Sequence, residues 1–88
     1  MESGMDRDPL LVEREKTHGR FTKNAAISQA IKDSYRAAAY TCINVVHQEA
    51  LDMIASKIAR ILTGSAYHKD HWLDIAGYAM LGAEACDD

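Results

Sequence analysis

The sequence predicts an all-α protein, a small bundle of about four helices that is completed by oligomerisation. Apolar residues recur at spacings of three and four along its longer segments, which is the period of one helix face. Apart from a doubtful stretch near Ile43, no segment shows the signals of a strand. The chain has 88 residues, 48% of them hydrophobic, so its core is only marginally stable alone. We expect a flexible N-terminus at residues 1–8 and a single helical domain at residues 9–88.

The first predicted helix begins at Pro9. Asp8 can cap it, and proline suits the first helical position because it has no N–H to leave unpaired. We expect the helix to run to about Thr17 and to end at Gly19, since glycine can adopt the left-handed backbone conformation that stops a helix.

The second predicted helix runs from Thr22 or Asn24 to about Ala38. Its apolar and polar residues fall on opposite faces, as is typical of an amphipathic helix. The apolar face comprises Ile27, Ala30, Ile31, Tyr35 and Ala38. The β-branched and aromatic stretch Ala39–Ile43 could continue this helix or be extended, and we interpret it as a connection.

The third predicted helix runs from Val45 to Leu62, with Asn44 as its N-cap and Gly64 after its end. One broad apolar face repeats at the helical period, which is typical of a helix packed on a core. This face comprises Leu51, Ile54, Ala55, Ile58, Ile61 and Leu62.

The fourth predicted helix begins at Asp70 or a neighbour, after a short loop, and runs to about Ala83. Its apolar residues lie on more than one face: Trp72, Ile75, Ala76, Ala79 and Ala83 on the first, and Leu73, Met80 and Leu81 elsewhere. A helix that is apolar nearly all round is buried on more than one side, and Gly77 suggests close backbone approach by a neighbour. We therefore expect a homo-oligomer, a dimer or a tetramer, with the interface on the third and fourth helices.

Charge and cysteine content exclude some partners. Ten Lys and Arg face thirteen Asp and Glu, a net charge of −3, without the clustered basic face that nucleic-acid binding requires. Cys42 and Cys86 fit neither a metal pair nor a disulfide framework, and free thiols indicate a reducing compartment. No apolar stretch is long enough for a secretory signal or a membrane span. We expect a cytoplasmic protein.

One polar stripe runs along the third predicted helix. It comprises Glu49, Asp52, Ser56 and Arg60 at spacings of three and four, with Lys57 at its edge. On one interpretation this is a solvated face of weak helical ion pairs. On the other, Glu49 and Asp52 hold a divalent ion through carboxylate oxygens, while Lys57 and Arg60 contact phosphate.

The fourth predicted helix adds a candidate second half to that site. Asp70 and Asp74 lie four positions apart, with His71 three before Asp74, so their side chains can share a ligand. For Asp70 alone, a role as the helix N-cap is the better explanation. Asp74 lies in an otherwise apolar helix, where a carboxylate needs a cation or hydrogen-bond donors. A structural ion pair with Arg60 or Lys57 fits the pattern as well as a metal ligand does.

Three segments resemble a family of small phage and prophage proteins of unknown function. They are Glu15–Phe21 with its histidine-glycine turn, Lys57–Ile61 with a K-x-x-R helix, and His68–Ala79 with the pattern D-x-W-x-D-I-x-G-Y. The resemblance covers most of the chain from about Leu10 onward, and the last pattern is the most specific.

The order of these elements also resembles a shortened relative of the all-α, MazG-like nucleotide pyrophosphohydrolases. That resemblance implies magnesium and a nucleoside triphosphate bound between the helices of a dimer or tetramer. The implied metal ligands are Glu49, Asp52, Asp70 and Asp74. The implied substrate contacts are Lys57, Arg60 and His71. Water activated by magnesium would then attack a nucleotide phosphate, with Lys57 and Arg60 stabilising the developing charge.

Three classes of function are thus open. The first is a nucleotide-binding or pyrophosphohydrolase role, and the second is a non-catalytic oligomeric interaction protein with the fourth helix at its interface. A small DNA-binding regulator is third and is disfavoured by the acidic balance. Geometry discriminates between the first two, because a cation site requires Glu49, Asp52 and Asp74 to converge on an open cleft.

Overall fold

A computed structural model of the chain describes residues 8–86, in which four α-helices pack together without a strand. The helices are α1 (Pro9–His18), α2 (Phe21–Arg36), α3 (Val45–Thr63) and α4 (Lys69–Glu84). A 3₁₀ turn at Tyr40–Cys42 lies between α2 and α3, where a connection was predicted. The all-α fold class is confirmed, while the predicted flexible N-terminus lies outside the described residues except for Asp8.

The first and third helices begin and end as their capping residues predict. Oδ1 of Asp8 accepts the Leu10 N–H at 2.8 Å, and Oδ1 of Asn44 accepts the His47 N–H at 2.9 Å. Gly19 follows α1 with a φ of +75°, the left-handed conformation that favours glycine. These local signals are strong because each satisfies backbone groups that a helix end leaves unpaired.

The fourth helix begins at Lys69, next to Asp70 as predicted, but its capping residue differs from the prediction. The N-cap position belongs to His68, whose side chain makes no capping bond, and Asp70 lies inside the first turn. The prediction that Asp70 caps this helix is therefore wrong. The helix starts earlier because the His71 N–H already bonds the His68 carbonyl at 3.1 Å. A carboxylate in the first turn still suits the helix dipole.

The central element of the fold is α3. It packs against α2 on one side and α4 on the other, and within residues 8–86 the two outer helices share no substantial contact. The three long helices thus lie side by side, while α1 covers one end of α2 and α3.

The apolar core is small. Among residues 8–86, the buried apolar side chains are Ala50, Ala55 and Ala59, all on α3. Leu51 and Leu62, predicted on the packed face of this helix, are 41% and 66% exposed, which corrects that prediction. The radius of gyration is 15.3 Å, against about 12 Å for a compact domain of this length. A side-by-side arrangement cannot cover both faces of its central helix.

Most of the polar stripe of α3 faces other helices, and only Glu49 is exposed to solvent. The Ser56 hydroxyl lies 3.3 Å from that of Ser28 on α2, which is itself buried. Lys57 is only 8% exposed, and Asp52 is half-buried. The interpretation as a solvated face is therefore wrong for these residues. Periodicity finds the two faces of a helix, but it does not say which neighbour each face meets.

The cysteines and the apolar character of the helices also bear on the predictions. Cys42 and Cys86 are free thiols, as predicted. In the part of the chain that the structure describes, no helix has the length and apolar character needed to cross a membrane.

Candidate functional site

Asp52 is the acceptor at the centre of a polar cluster between α2 and α3. The Tyr35 hydroxyl donates to Oδ1 at 2.6 Å, and the Tyr40 hydroxyl donates to Oδ2 at 2.6 Å. The Arg36 guanidinium adds a contact to Oδ2 at 3.3 Å and lies over the Tyr40 ring, 5.6 Å from its centroid. Both carboxylate oxygens are therefore engaged inside the chain.

These contacts fix the charge state of the cluster. Burial alone would raise the pKa of Asp52, but the hydrogen bonds from Tyr35, Tyr40 and Arg36 outweigh it and lower that pKa. Burial and the bond to Asp52 raise the pKa of Tyr35. The pKa of Tyr40 is raised chiefly by its own bond to Asp52. A charged carboxylate thus holds two protonated tyrosines and fastens the α2–α3 connection to α3.

A second ion pair joins α3 to α4. Nζ of Lys57 lies 2.7 Å from Oδ2 of Asp74, and the side chains are 11% and 46% exposed. The hydrogen bond from Lys57 lowers the pKa of Asp74. Of the two structural partners predicted for Asp74, Lys57 makes the contact and Arg60 does not. Lys57 is nearly buried, and Asp74 provides the opposite charge that a buried ammonium group needs.

The C-terminal end of α1 meets three other segments at a set of contacts that we call the α1 junction. The Thr17 carbonyl accepts both the Ser65 N–H at 3.2 Å and Nε2–H of His71 at 2.7 Å. His71 is the largest fully buried side chain in the described residues, 1% exposed. Because a carbonyl can only accept, this bond places a proton on Nε2 of His71.

The next carbonyl of the α1 junction is satisfied in the same way. The His18 carbonyl accepts Nδ2–H of Asn24 at 3.1 Å and lies 3.3 Å from the Thr63 hydroxyl, which is closer, at 2.9 Å, to the carbonyl of Ala59. The last carbonyl groups of a helix have no partner within it, so a side chain from α2 replaces the missing donor. Asn24 is buried in this role.

Two glycines let the backbones meet at the α1 junction. A Cβ atom on Gly64 would overlap the carbonyl of Thr17, and one on Gly19 would overlap Thr63. The close approach brings the end of α3 against the end of α1 and so allows the Ser65 N–H to reach Thr17. No side chain other than hydrogen fits at these positions.

Three histidine rings gather beside the junction. The ring centroids of His18 and His71 lie 4.8 Å apart, those of His68 and His71 4.6 Å, and those of His18 and His68 5.7 Å. Burial lowers the pKa of His18, and the nearby charges of His71, Arg14 and Arg60 lower it further. Within residues 8–86, no three His, Cys, Asp or Glu side chains are arranged to hold a metal ion.

A cavity of about 190 Å³ opens next to His18, between α1, α2 and α3. Its lining residues are Leu11, Arg14, Glu15, His18, Gly19, Phe21, Asn24 and Arg60. A second, almost wholly apolar groove of about 320 Å³ lies between the start of α3 and the end of α4. It is lined by Val45, Val46, Glu49, Ala50, Tyr78 and Leu81.

The four carboxylates predicted as magnesium ligands are dispersed. Asp52 belongs to the tyrosine cluster, Asp74 pairs with Lys57, Glu49 lines the apolar groove, and Asp70 is exposed in the first turn of α4. Each therefore has surroundings of its own, and this donor set does not fit one divalent ion. Magnesium binding stays a prediction.

The predicted substrate contacts also separate. Lys57 is paired with Asp74, Arg60 lines the cavity beside His18, and His71 is buried in the α1 junction. Their role in substrate binding stays a prediction. The grouping of His18 with His68 and His71 was missed, although all three stand in the segments that carry the family resemblance.

No curated protein and no solved structure matches this chain. The sequence model of a domain of unknown function, DUF6378, matches residues 7–86. That match carries neither a phage assignment nor a pyrophosphohydrolase assignment. It spans the four helices and every contact described above, so the chain belongs to the DUF6378 family of domains of unknown function.

Proposed function

We propose that this domain is a homodimeric helical interaction module in which α4 packs against α4 of a second copy. The interface would be the α4 outer face, which we define as Leu73, Gly77, Met80 and Leu81. Leu73 is 54% exposed, Met80 66% and Leu81 52%. This uncovered apolar face on an outer helix is the observation that carries the proposal.

The position of α4 explains why its outer face is free. The helix has α3 on one side only, and it turns Tyr78 and Gly82 toward the start of that neighbour. Residues that lie half a turn away, such as Leu73 and Met80, then point outward. Glu84 lies one turn beyond Met80, so the apolar part of the face ends near the end of the helix.

Gly77 supplies the most specific support. A Cβ atom at Gly77 would meet no atom within 4 Å, so the neighbour predicted to approach this glycine does not come from the described part of the chain. Glycine in mid-helix costs about 1 kcal/mol relative to alanine and needs a compensating role. Between Leu73 and Met80 it forms a notch that admits a ridge of a second helix.

A second copy fits this face better than an unrelated partner. Domains are normally built from at least two packed layers, whereas α2, α3 and α4 lie side by side. The helices of one chain leave this apolar face uncovered in every folded molecule. The partner that covers it should therefore be available whenever the chain folds. A second copy of the same chain meets this requirement, and a twofold axis would pack the same face of both copies together.

The apolar groove extends the proposed interface. Leu81 belongs both to the α4 outer face and to the groove, where Val45 is 75% exposed and Val46 47%. Glu49 is the single charged residue of its lining. A continuous apolar surface with so little charge resembles the interfaces of obligate homodimers, which are like a domain core cut in half.

The pyrophosphohydrolase alternative finds no comparable support. It needs Glu49, Asp52, Asp70 and Asp74 around one divalent ion, and no contact within residues 8–86 brings even three of them together. The α4 outer face and the apolar groove that continues it therefore carry the proposal.

The molar mass in solution tests the proposal. We expect twice the 9.7 kDa of one chain by light scattering after size exclusion. Met80→Glu should give a monomer, because a charge cannot be desolvated at an apolar interface. The control is Tyr67→Glu, since Tyr67 is 96% exposed outside α4 and its replacement should leave a dimer. A monomeric parent protein, or a dimer that survives Met80→Glu, contradicts the proposal.

A further inference from the structure

We propose that the cavity between α1, α2 and α3 is an anion site, in which Arg14 and Arg60 hold the phosphate group of a small phosphate monoester. This site is separate from the α4 outer face and does not depend on dimer formation. It also reassigns Arg60, which the sequence analysis paired with Lys57 as a phosphate contact.

The charge of the cavity favours an anion. Arg14 and Arg60 both line it, and among residues 8–86 no carboxylate lies within the 4.0 Å of an ion pair from either of them. Glu15, the one carboxylate of the lining, contacts Nε of Arg20 at 3.5 Å. Two guanidinium groups match the charge of about −2 on a phosphate monoester better than the single charge of a carboxylate.

His18 reports the same excess of positive charge. Its ring lines the cavity, and after burial its pKa is lowered by the charges of His71, Arg14 and Arg60. An anion bound in the cavity would offset these positive charges and favour the protonated form of His18. Around His18, α3 contributes Arg60 and α4 contributes His71, while the carboxylate of Asp74, which pairs with Lys57, also acts electrostatically on His71 and Arg60.

The walls of the cavity define the rest of the ligand. Phe21 is 79% exposed and Leu11 49%, so apolar surface stands at the rim. Gly19 and Phe21 flank the start of α2, whose N-cap residue Arg20 provides no side-chain capping bond. A volume of about 190 Å³ is below the range of about 300–1,000 Å³ that encloses drug-sized ligands. The site therefore suits a phosphate with a small apolar substituent.

Calorimetric titration of the full chain with phenyl phosphate, inorganic phosphate and acetate tests the site. We expect a dissociation constant on the order of 1 mM or lower for phenyl phosphate, weaker binding of inorganic phosphate and weakest binding of acetate. Arg14→Gln and Arg60→Gln should each weaken phenyl phosphate binding roughly tenfold or more, since each removes charge-assisted hydrogen bonds. Lys32→Gln removes one positive charge elsewhere on α2 and should have little effect.

The imidazole of His18 provides a second readout that a general charge effect would not move. Bound phosphate should raise the pKa of His18, followed by NMR, and should leave the ring resonances of His47 unmoved because His47 lies at the far end of α3. Circular dichroism checks that both arginine variants fold. No binding of phenyl phosphate, acetate binding as tight as phosphate, or an equal loss in Lys32→Gln would overturn the proposal.

Discussion

At the α1 junction polar groups are hydrogen-bonded within the chain, whereas at the α4 outer face apolar groups lie exposed. At the junction, the Thr17 carbonyl accepts two hydrogen bonds from other segments and the His18 carbonyl accepts one from Asn24. On the outer face, Leu73 and Met80 are more than half exposed and Gly77 has open space beside it. The first region is thus satisfied within one chain, whereas the second leaves apolar side chains exposed.

The α1 junction contains contacts that hold one chain together, whereas the α4 outer face contains apolar groups that one chain leaves uncovered. A buried polar network is costly to break, because each group left without a partner keeps its full desolvation penalty. Exposed apolar groups add little to the stability of one chain, but they become favourable once a second surface covers them. Substitutions at the two regions should therefore affect different quantities.

The largest effect is expected at the junction. Gly64→Ala places a methyl group on the Thr17 carbonyl, and neither backbone can yield without breaking hydrogen bonds. We expect the free energy of unfolding to fall by about 3 kcal/mol or more. Urea denaturation followed by circular dichroism measures this change.

Gly82→Ala is the matched control for Gly64→Ala. Its new Cβ would lie 3.7 Å from Cδ2 of His47 and 3.9 Å from Cβ of Ala50, which are ordinary contacts. We expect it to raise stability by up to about 1 kcal/mol through helix propensity. Equal effects of the two substitutions would show that the junction is not close-packed.

A smaller effect is expected at Asp52, where the polar network continues between α2 and α3. Asp52→Asn should lower stability by about 1 kcal/mol at neutral pH, because the charge that Tyr35, Tyr40 and Arg36 surround is lost. The pKa of Asp52 is lowered in the folded protein, so its contribution is present above about pH 4 and disappears as pH falls through the folded pKa.

The pH dependence distinguishes this network from a simple packing effect. The difference in unfolding free energy between the parent protein and Asp52→Asn should stay constant from about pH 7 to 5 and close below about pH 4. Asp33→Asn is the control, because Asp33 is an exposed carboxylate of α2. A gap that is constant down to about pH 2 would contradict the account.

The sequence was most informative about helix ends. Asp8, Gly19 and Asn44 act within a few residues of their own position, so their patterns predict local structure directly. The N-cap role predicted for Asp70 was wrong because the N-cap position and the first turn of a helix both favour acidic residues. Helix boundaries therefore followed from local chemistry, except where two local roles share one residue type.

The contacts of side chains between helices could be predicted much less well from the sequence. The polar stripe containing Asp52 and Lys57 looked solvated, because spacing alone does not reveal that Tyr35, Tyr40 and Asp74 approach from other segments. The carboxylates look like one ligand set in sequence but lie in separate surroundings. By contrast, the excess of apolar residues on the fourth predicted helix matches the exposure of the α4 outer face.

Sedimentation equilibrium of Gly77→Ala and Gly82→Ala tests the central claim most directly. Both substitutions exchange a glycine of α4 for alanine and should gain similar helix propensity. If a second helix packs at Gly77, the dissociation constant of the dimer should rise roughly tenfold in Gly77→Ala and should not rise in Gly82→Ala. An unchanged or tighter dimer in Gly77→Ala would contradict an interface on the α4 outer face.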